Sequence, residues 1–126
     1  MIRLTLEFTD NLGPEADLPA LLKQFDDRLR DVVGSAAHVL VDARVLADYV
    51  AEIGDGAWAT LILTFRAPAS LEAALTPRCS EFLAIAEAHL ADLYLTHSIV
   101  FSSRLELYPD ALEIERRRRQ PDRPAF

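Results

Sequence analysis

The chain has 126 residues, of which 51% are apolar, and a formal net charge of −7. This length suits a single domain with a buried core, and no apolar run approaches the roughly 18 residues of a membrane-spanning helix. The acidic balance argues against broad nucleic-acid binding. The sequence shows no secretory signal, and the lone Cys79 cannot form an internal disulfide. We therefore predict a cytoplasmic protein without a membrane segment.

The first nine residues predict a β-strand. Apolar and polar residues alternate there with the period of two that a strand with one buried face requires. The apolar set is Ile2, Leu4, Leu6 and Phe8, and the polar set is Arg3, Thr5, Glu7 and Thr9. The strand is predicted to begin at residue 2, so the amine of residue 1 is expected at the end of a sheet.

A helix and a second strand are predicted next. Helical spacing runs from Leu18 to Val32, with Asp17 as the N-cap, Pro19 in the first turn and Gly34 at the end. Alternation over residues 39–49 predicts the second strand. The segment 54–56, Gly-Asp-Gly, then gives the strongest turn signal in the chain, close to its middle.

The same order repeats after this turn. Residues 59–65 predict a third strand, residues 71–93 a long helix with Ser70 as N-cap, and residues 99–107 a final strand. We therefore predict an α+β fold of two βαβ units, about 1–53 and 57–108, in one domain of residues 1–126 that ends in a basic tail, 111–126. Right-handed crossovers make the strands of each unit parallel and place both helices on one face of a four-stranded mixed sheet.

The other face of this sheet is left open by the prediction. The first strand contributes the polar residues Arg3, Thr5, Glu7 and Thr9 to it, which do not suit a second apolar layer. Such a face either contacts water or packs against copies of the same chain, where closure would also cover the sheet edges.

Short motifs in a fixed order resemble the 5-carboxymethyl-2-hydroxymuconate isomerase family of the tautomerase superfamily. The motifs are Thr9-Asp10-Asn11, Glu15-Ala16-Asp17-Leu18-Pro19, Arg44-Val45, Asp55-Gly56, Ser70-Leu71-Glu72 and Glu106-Leu107-Tyr108-Pro109. The resemblance implies the βαβ pair predicted above, a homotrimer, no cofactor, and proton transfer within a carboxylated dienol acid from aromatic catabolism. It also implies that an N-terminal proline, exposed by removal of the initiator methionine, acts as the base.

The residues of this chain depart from that family pattern at the site. The position of the proline is Ile2, and because this residue is bulky we expect the initiator methionine to be kept, so the candidate base is the primary amine of Met1. Of three expected arginines, the resemblance leaves Arg44 as binder of a substrate carboxylate, because the other two positions hold Asp42 and Ala69. Two functions follow: a weak or altered isomerase using Met1 and Arg44, or a non-catalytic trimeric homologue that binds a small ligand such as a dicarboxylate.

Other residues have structural and functional interpretations side by side. Arg44 either binds a carboxylate or pairs with Asp42 or Asp48 on the surface. His38 and His97 are predicted as solvated loop residues, and His89 has no second metal ligand four residues on, so no metal site is predicted.

Three further features remain open at the sequence level. Cys79 is predicted as a buried or half-buried thiol, and Trp58 either lines a pocket or packs in a core or interface. The run Arg116 to Arg119 is predicted to be a solvated tail or a contact with an acidic partner subunit.

Overall fold

The computed structural model describes residues 1–34, 37–46 and 57–108. In these ranges the longer elements are β1 (Ile2–Phe8), α1 (Leu18–Val33), β2 (Val39–Val45), β3 (Ala57–Pro68), α2 (Glu72–His89) and β4 (His97–Tyr108). Short 3-10 helices connect them at Asp10–Leu12, Pro14–Ala16, Ala69–Leu71 and Ala91–Leu95. The predicted βαβ order in each half of the chain is therefore confirmed, whereas the predicted tail, 111–126, lies outside the described residues.

The four strands form one mixed sheet in the order β2-β1-β3-β4. β1 pairs with β2 in parallel and β3 pairs with β4 in parallel, whereas the central pair of β1 and β3 is antiparallel. The two halves are thus related by an approximate two-fold axis, and the start of β1 lies at the same sheet end as the finish of β3 and β4.

Both helices pack on one face of this sheet, as predicted. Phe82 of α2 stacks on Phe25 of α1 and meets Phe65 of β3 edge to face, each at a centroid distance of 5.2 Å. The buried core around these rings includes Leu4, Leu6, Leu21, Leu29, Leu61, Leu63 and Leu75. Burial of these side chains, each worth about 1.5–3 kcal/mol, is the main stabilisation of the fold. No helix in the described ranges is long and apolar enough to cross a membrane.

The capping predictions have different outcomes at the two helices. The Asp17 carboxylate accepts the N–H of Ala20 at 3.4 Å and caps α1. Ser70 lies inside the 3-10 helix that precedes α2, so α2 begins after Leu71 without a side-chain cap, and the prediction for Ser70 is wrong. α2 also ends at His89, and the predicted helical residues beyond it form a separate 3-10 helix.

Two features of the other strands also differ from prediction. β2 ends at Val45, and the rest of its predicted span, 47–49, lies outside the described residues. Thr5 and Thr9 are buried, because the Thr5 hydroxyl lies under the side chains of Arg3 and Asp42 and the Thr9 hydroxyl accepts the N–H of Thr60 at 3.1 Å. The polar side of β1 is therefore partly covered within one chain.

Candidate functional site at the N-terminal end of the sheet

Met1 lies at the sheet end where β1 begins. Its side chain is 63% exposed, whereas that of Ile2 is 5% exposed and belongs to the core. The N–H of Ile2 donates to the carbonyl of His38 at 2.8 Å, which is the first hydrogen bond between β1 and the residue preceding β2. The local fold therefore anchors residue 2 and leaves the residue before it at the surface.

A cavity of about 430 Å³ adjoins Met1. Its walls come from the last turn of α1 and the start of β2, and the lining residues are Met1, Arg30, Ala37, His38, Val39 and Leu40. The Arg30 side chain is held by Asp26, whose carboxylate accepts from Nε at 3.1 and 3.2 Å. The structure gives the two Nη nitrogens of Arg30 no hydrogen-bond partner among the described residues, so they can receive a carboxylate.

Tyr108, the last residue of β4, also contacts Met1. The hydroxyl of Tyr108 donates to the carbonyl of Met1 at 2.6 Å. Because β3 lies between β1 and β4, this bond crosses one strand on the sheet face opposite the helices. Residues from both βαβ units therefore meet at Met1.

An ion pair occupies the position where the family resemblance expects one arginine. Asp42 of β2 accepts from Arg3 Nη2 at 2.6 Å and from the Thr5 hydroxyl at 2.9 Å. The hydrogen bond from Arg3 lowers the pKa of Asp42 against a desolvation effect that raises it, and Thr5 and the charge of Arg44 add to the lowering. The same pairing raises the pKa of Arg3. Neither charge is available to a ligand without breaking the pair.

A second ion pair lies beside the first on the open sheet face. Arg66 faces Arg3 across the β1–β3 ladder and donates to Glu106 of β4 at 2.7 Å. Two like charges directly opposite in a sheet repel one another. Each arginine is therefore paired with an acid on the neighbouring outer strand, Arg3 with Asp42 of β2 and Arg66 with Glu106 of β4.

Arg44 lies at the other end of β2. It is the register partner of Glu7, with which it forms a 3.3 Å ion pair, and Ile2 is paired with Val39 five residues earlier. At ~3.3 Å per residue, this separates the backbone of Arg44 from that of Ile2 by about 16 Å. Within one chain the structure does not bring Arg44 to Met1 or to the cavity, and Ala69 lies in the 3-10 helix after β3.

The histidines have the following places. His38 is an exposed residue before β2, as predicted. His97 is the first residue of β4, and its ring bonds the Asn11 carbonyl and the Thr96 hydroxyl, each at 2.8 Å, so the loop prediction for it is wrong. His89 ends α2 and bonds the Ala16 carbonyl at 2.8 Å.

His97 also lines a second cavity of about 560 Å³ with Glu15, Asp92, Leu93 and Thr96, at the sheet end remote from Met1.

Cys79 and Trp58 do not join the site. Cys79 is partly buried, and desolvation raises the pKa of its thiol, so it is not an activated nucleophile. Trp58 is half exposed at the far end of β3, outside the core. Within the described ranges, no group of three His, Cys, Asp or Glu side chains is placed to hold a metal ion.

Arg30 and Tyr108 were not predicted as site residues from the sequence. Arg30 reads as one charge on a polar helix face, and Tyr108 appears only as part of a motif. The contact between residue 2 and His38 could have been predicted from the sequence, because parallel pairing of the first two strands places the start of β2 beside the start of β1. Sequence periodicity gives no such signal for Tyr108, which lies more than a hundred residues away.

The fold is shared with known isomerases. No protein-family model matches the sequence, and no curated protein matches it. A 5-carboxymethyl-2-hydroxymuconate isomerase from Deinococcus radiodurans R1 is 24% identical, with 87% of this chain and 84% of that chain covered and a TM-score of 0.72. A 5-carboxymethyl-2-hydroxymuconate delta-isomerase is 16% identical, with coverages of 95% and 96% and a TM-score of 0.61. The resemblance predicted from the motifs is thus confirmed for the fold.

Proposed function

We propose, from the fold that this chain shares with 5-carboxymethyl-2-hydroxymuconate isomerases, that the protein is a divergent tautomerase homologue. It binds a small dicarboxylate at the Met1 end of the sheet, and its keto–enol tautomerisation of a dienol acid is weak or altered. The observation that carries the proposal is the exposed Met1 beside a cavity that Arg30 and His38 also line.

The base that we propose is a neutral amine, which takes the hydroxyl proton of the dienol acid and returns it to a carbon. A free α-amine, with a reference pKa of about 7.7–8.0, is suited to this near neutral pH. The nitrogen of Ile2 cannot serve, because it is an amide whose proton is donated to His38. The Met1 nitrogen lies one residue further out, about 3.5 Å away in extended chain, and a misplacement of about 1 Å can cost a hundredfold in rate.

The reaction also needs cations that bind the carboxylates and stabilise charge on the dienolate oxygen. Arg30 is the guanidinium that lines the cavity with Met1, and Arg44 can reach a site there only across a subunit boundary. Asp42 and Ala69 replace two further cations. This deficit supports weak rather than full activity.

A non-catalytic homologue that binds a small ligand is the second candidate. The Arg3–Asp42 pair favours it, because a carboxylate stands where the isomerase pattern expects a guanidinium and is already satisfied by Arg3 and Thr5. In either case we propose a homotrimer of single-domain subunits, residues 1–126, in the cytoplasm.

Ketonisation of a dienol acid, followed by ultraviolet absorbance, tests the proposal against a proline-bearing isomerase. We expect little activity in the unaltered protein and partial recovery in Ile2→Pro with Met1 removed. Adding Asp42→Arg and Ala69→Arg should raise the rate by more than about tenfold over the single change, because each cation stabilises developing charge. Robust activity in the unaltered protein that acetylation of the α-amine abolishes would contradict the expected weakness.

Binding of a dicarboxylate product analogue, measured by titration calorimetry, separates the two arginines. Arg30→Ala should abolish the heat of binding if the cavity next to Met1 holds the ligand, and Arg44→Ala should abolish it if a neighbouring subunit completes the site. Binding unchanged in both variants would refute the proposed location.

A further inference from the structure

We propose that Tyr108 is a positioning residue for the α-amine of Met1. This inference rests on the proposed function in one respect, since it takes the Met1 amine as the reacting or ligand-facing group. The hydrogen bonds at the end of β1 support it independently of that function.

Odd-numbered residues of β1 direct their backbone groups toward β3. Thr9 donates its N–H to Thr60 of β3, whereas the N–H of Ile2 points the other way, to His38. Arg3 is paired with Arg66, so the same register, continued by two residues, places Met1 opposite Pro68. The carbonyl of Met1 is therefore directed toward a residue that has no N–H to donate.

Tyr108 supplies the missing donor. It is the register partner of Pro68 on β4, and its hydroxyl donates to the Met1 carbonyl at 2.6 Å. The side chain of Tyr108 thus replaces the backbone N–H that proline lacks.

The peptide between Met1 and Ile2 is consequently held on both sides. Its carbonyl accepts from Tyr108 and its N–H donates to His38. Because the peptide unit is planar, two opposed hydrogen bonds fix its orientation, and rotation about the Cα–C bond of Met1 is the only backbone freedom that still moves the amine nitrogen. Loss of the Tyr108 hydroxyl would release one side and widen the region that the amine samples.

The composition of the chain offers two clean probes of this effect. Met1 is the only methionine, so a ¹³C-methyl methionine label gives one NMR signal from the site. Lys23 is the only lysine, so the α-amine and one exposed ε-amine are the two primary amines open to acylation. Lys23 lies on α1 and serves as an internal reference for the reagent.

Tyr108→Phe is compared with Tyr94→Phe, which removes a tyrosine hydroxyl bound to the Glu87 carbonyl at 2.8 Å elsewhere in the fold. We expect Tyr108→Phe to raise the acylation rate of Met1 relative to Lys23 by about threefold, the effect of losing one ordinary hydrogen bond. The Met1 methyl signal should also shift and narrow. Tyr94→Phe should leave both the acylation ratio and the methyl signal unchanged.

Pro68→Ala in the Tyr108→Phe background provides a rescue. The new backbone N–H at position 68 faces the Met1 carbonyl in the continued ladder, so it should restore the wild-type labelling ratio and methyl signal. A Tyr108→Phe protein with wild-type values, or a double variant that remains altered, would overturn the proposal. If Tyr108→Phe and the double variant behave as expected but no variant binds a dicarboxylate, the proposed function fails and the positioning role of Tyr108 stands.

Discussion

The charge of Asp42 stabilises the fold at the scale of a single residue. The Asp42 carboxylate, on the outer strand β2, is bound by Arg3 and Thr5 of β1. The pKa of Asp42 is lowered chiefly by the Arg3 hydrogen bond. A carboxyl group with a lowered folded-state pKa stabilises the protein above its unfolded pKa of about 3.9, and this stabilisation is lost as the pH falls through the folded-state value.

We expect Asp42→Asn to lower the free energy of unfolding at pH 7 by about 1 kcal/mol or less, because the pair is partly exposed and screened by solvent. The difference from wild type should shrink as the pH falls below about 3.9, the unfolded-state pKa, and vanish once Asp42 is protonated in the folded chain as well. Urea unfolding at one fixed protein concentration measures both values. Asp92→Asn, which removes an exposed carboxylate, is the control, and a pH-independent loss in Asp42→Asn would show that the charge is not the cause.

At the scale of an element, the two helices differ in how their N-termini are capped. Asp17 has a φ of 43° and caps α1, whereas Ser70 caps nothing. We expect Asp17→Ala to cost about 2 kcal/mol, since it loses the cap and places alanine in a left-handed conformation. Asp17→Asn should cost far less, because asparagine caps helices and tolerates that conformation.

Ser70→Ala is the matched control for the capping prediction. It should leave the midpoint of urea unfolding unchanged, as α2 has no side-chain cap to lose. A loss equal to that of Asp17→Ala would mean that Ser70 supports α2 in a way that the geometry does not indicate.

The strands and their parallel pairing within each βαβ unit were predictable, because alternation is a local signal and crossovers are right-handed in nearly all such units. The end of α2 was not, since the apolar spacing beyond His89 fits an α-helix and a 3-10 helix equally well. The site was predictable only in part for a related reason. The start of a strand at residue 2 can be recognised in the sequence, but the approach of Arg30 and Tyr108 depends on pairing between distant segments.

The open face of the sheet is the feature that matters most for the whole molecule. It carries exposed apolar side chains on three strands, Leu40, Trp58 and Val100, and both outer strands, β2 and β4, leave an edge unpaired within the described residues. Exposed apolar groups beside free strand edges are typical of a surface that contacts another chain. These features support the proposed homotrimer.

We expect Val100→Glu to convert the trimer to monomers, because Val100 is 50% exposed on this face and a buried charge without a partner is costly. Leu95→Glu is the control, since Leu95 is 93% exposed in the 3-10 helix before β4. Native mass spectrometry and light scattering at micromolar concentration give the masses. A wild-type monomer, or a Val100→Glu protein that remains trimeric, would contradict this use of the open face.

The bond between Tyr108 and Met1 has a consequence for how the chain is made. Residue 1 is synthesised long before residue 108, yet the hydroxyl that fixes its peptide belongs to the end of the last described strand. β1 can pair with β2 as soon as the first unit emerges, whereas its other side waits for β3 and then for β4. During translation the carbonyl of this peptide therefore lacks its Tyr108 partner until residue 108 has left the exit tunnel, and only the side bound to His38 can form earlier.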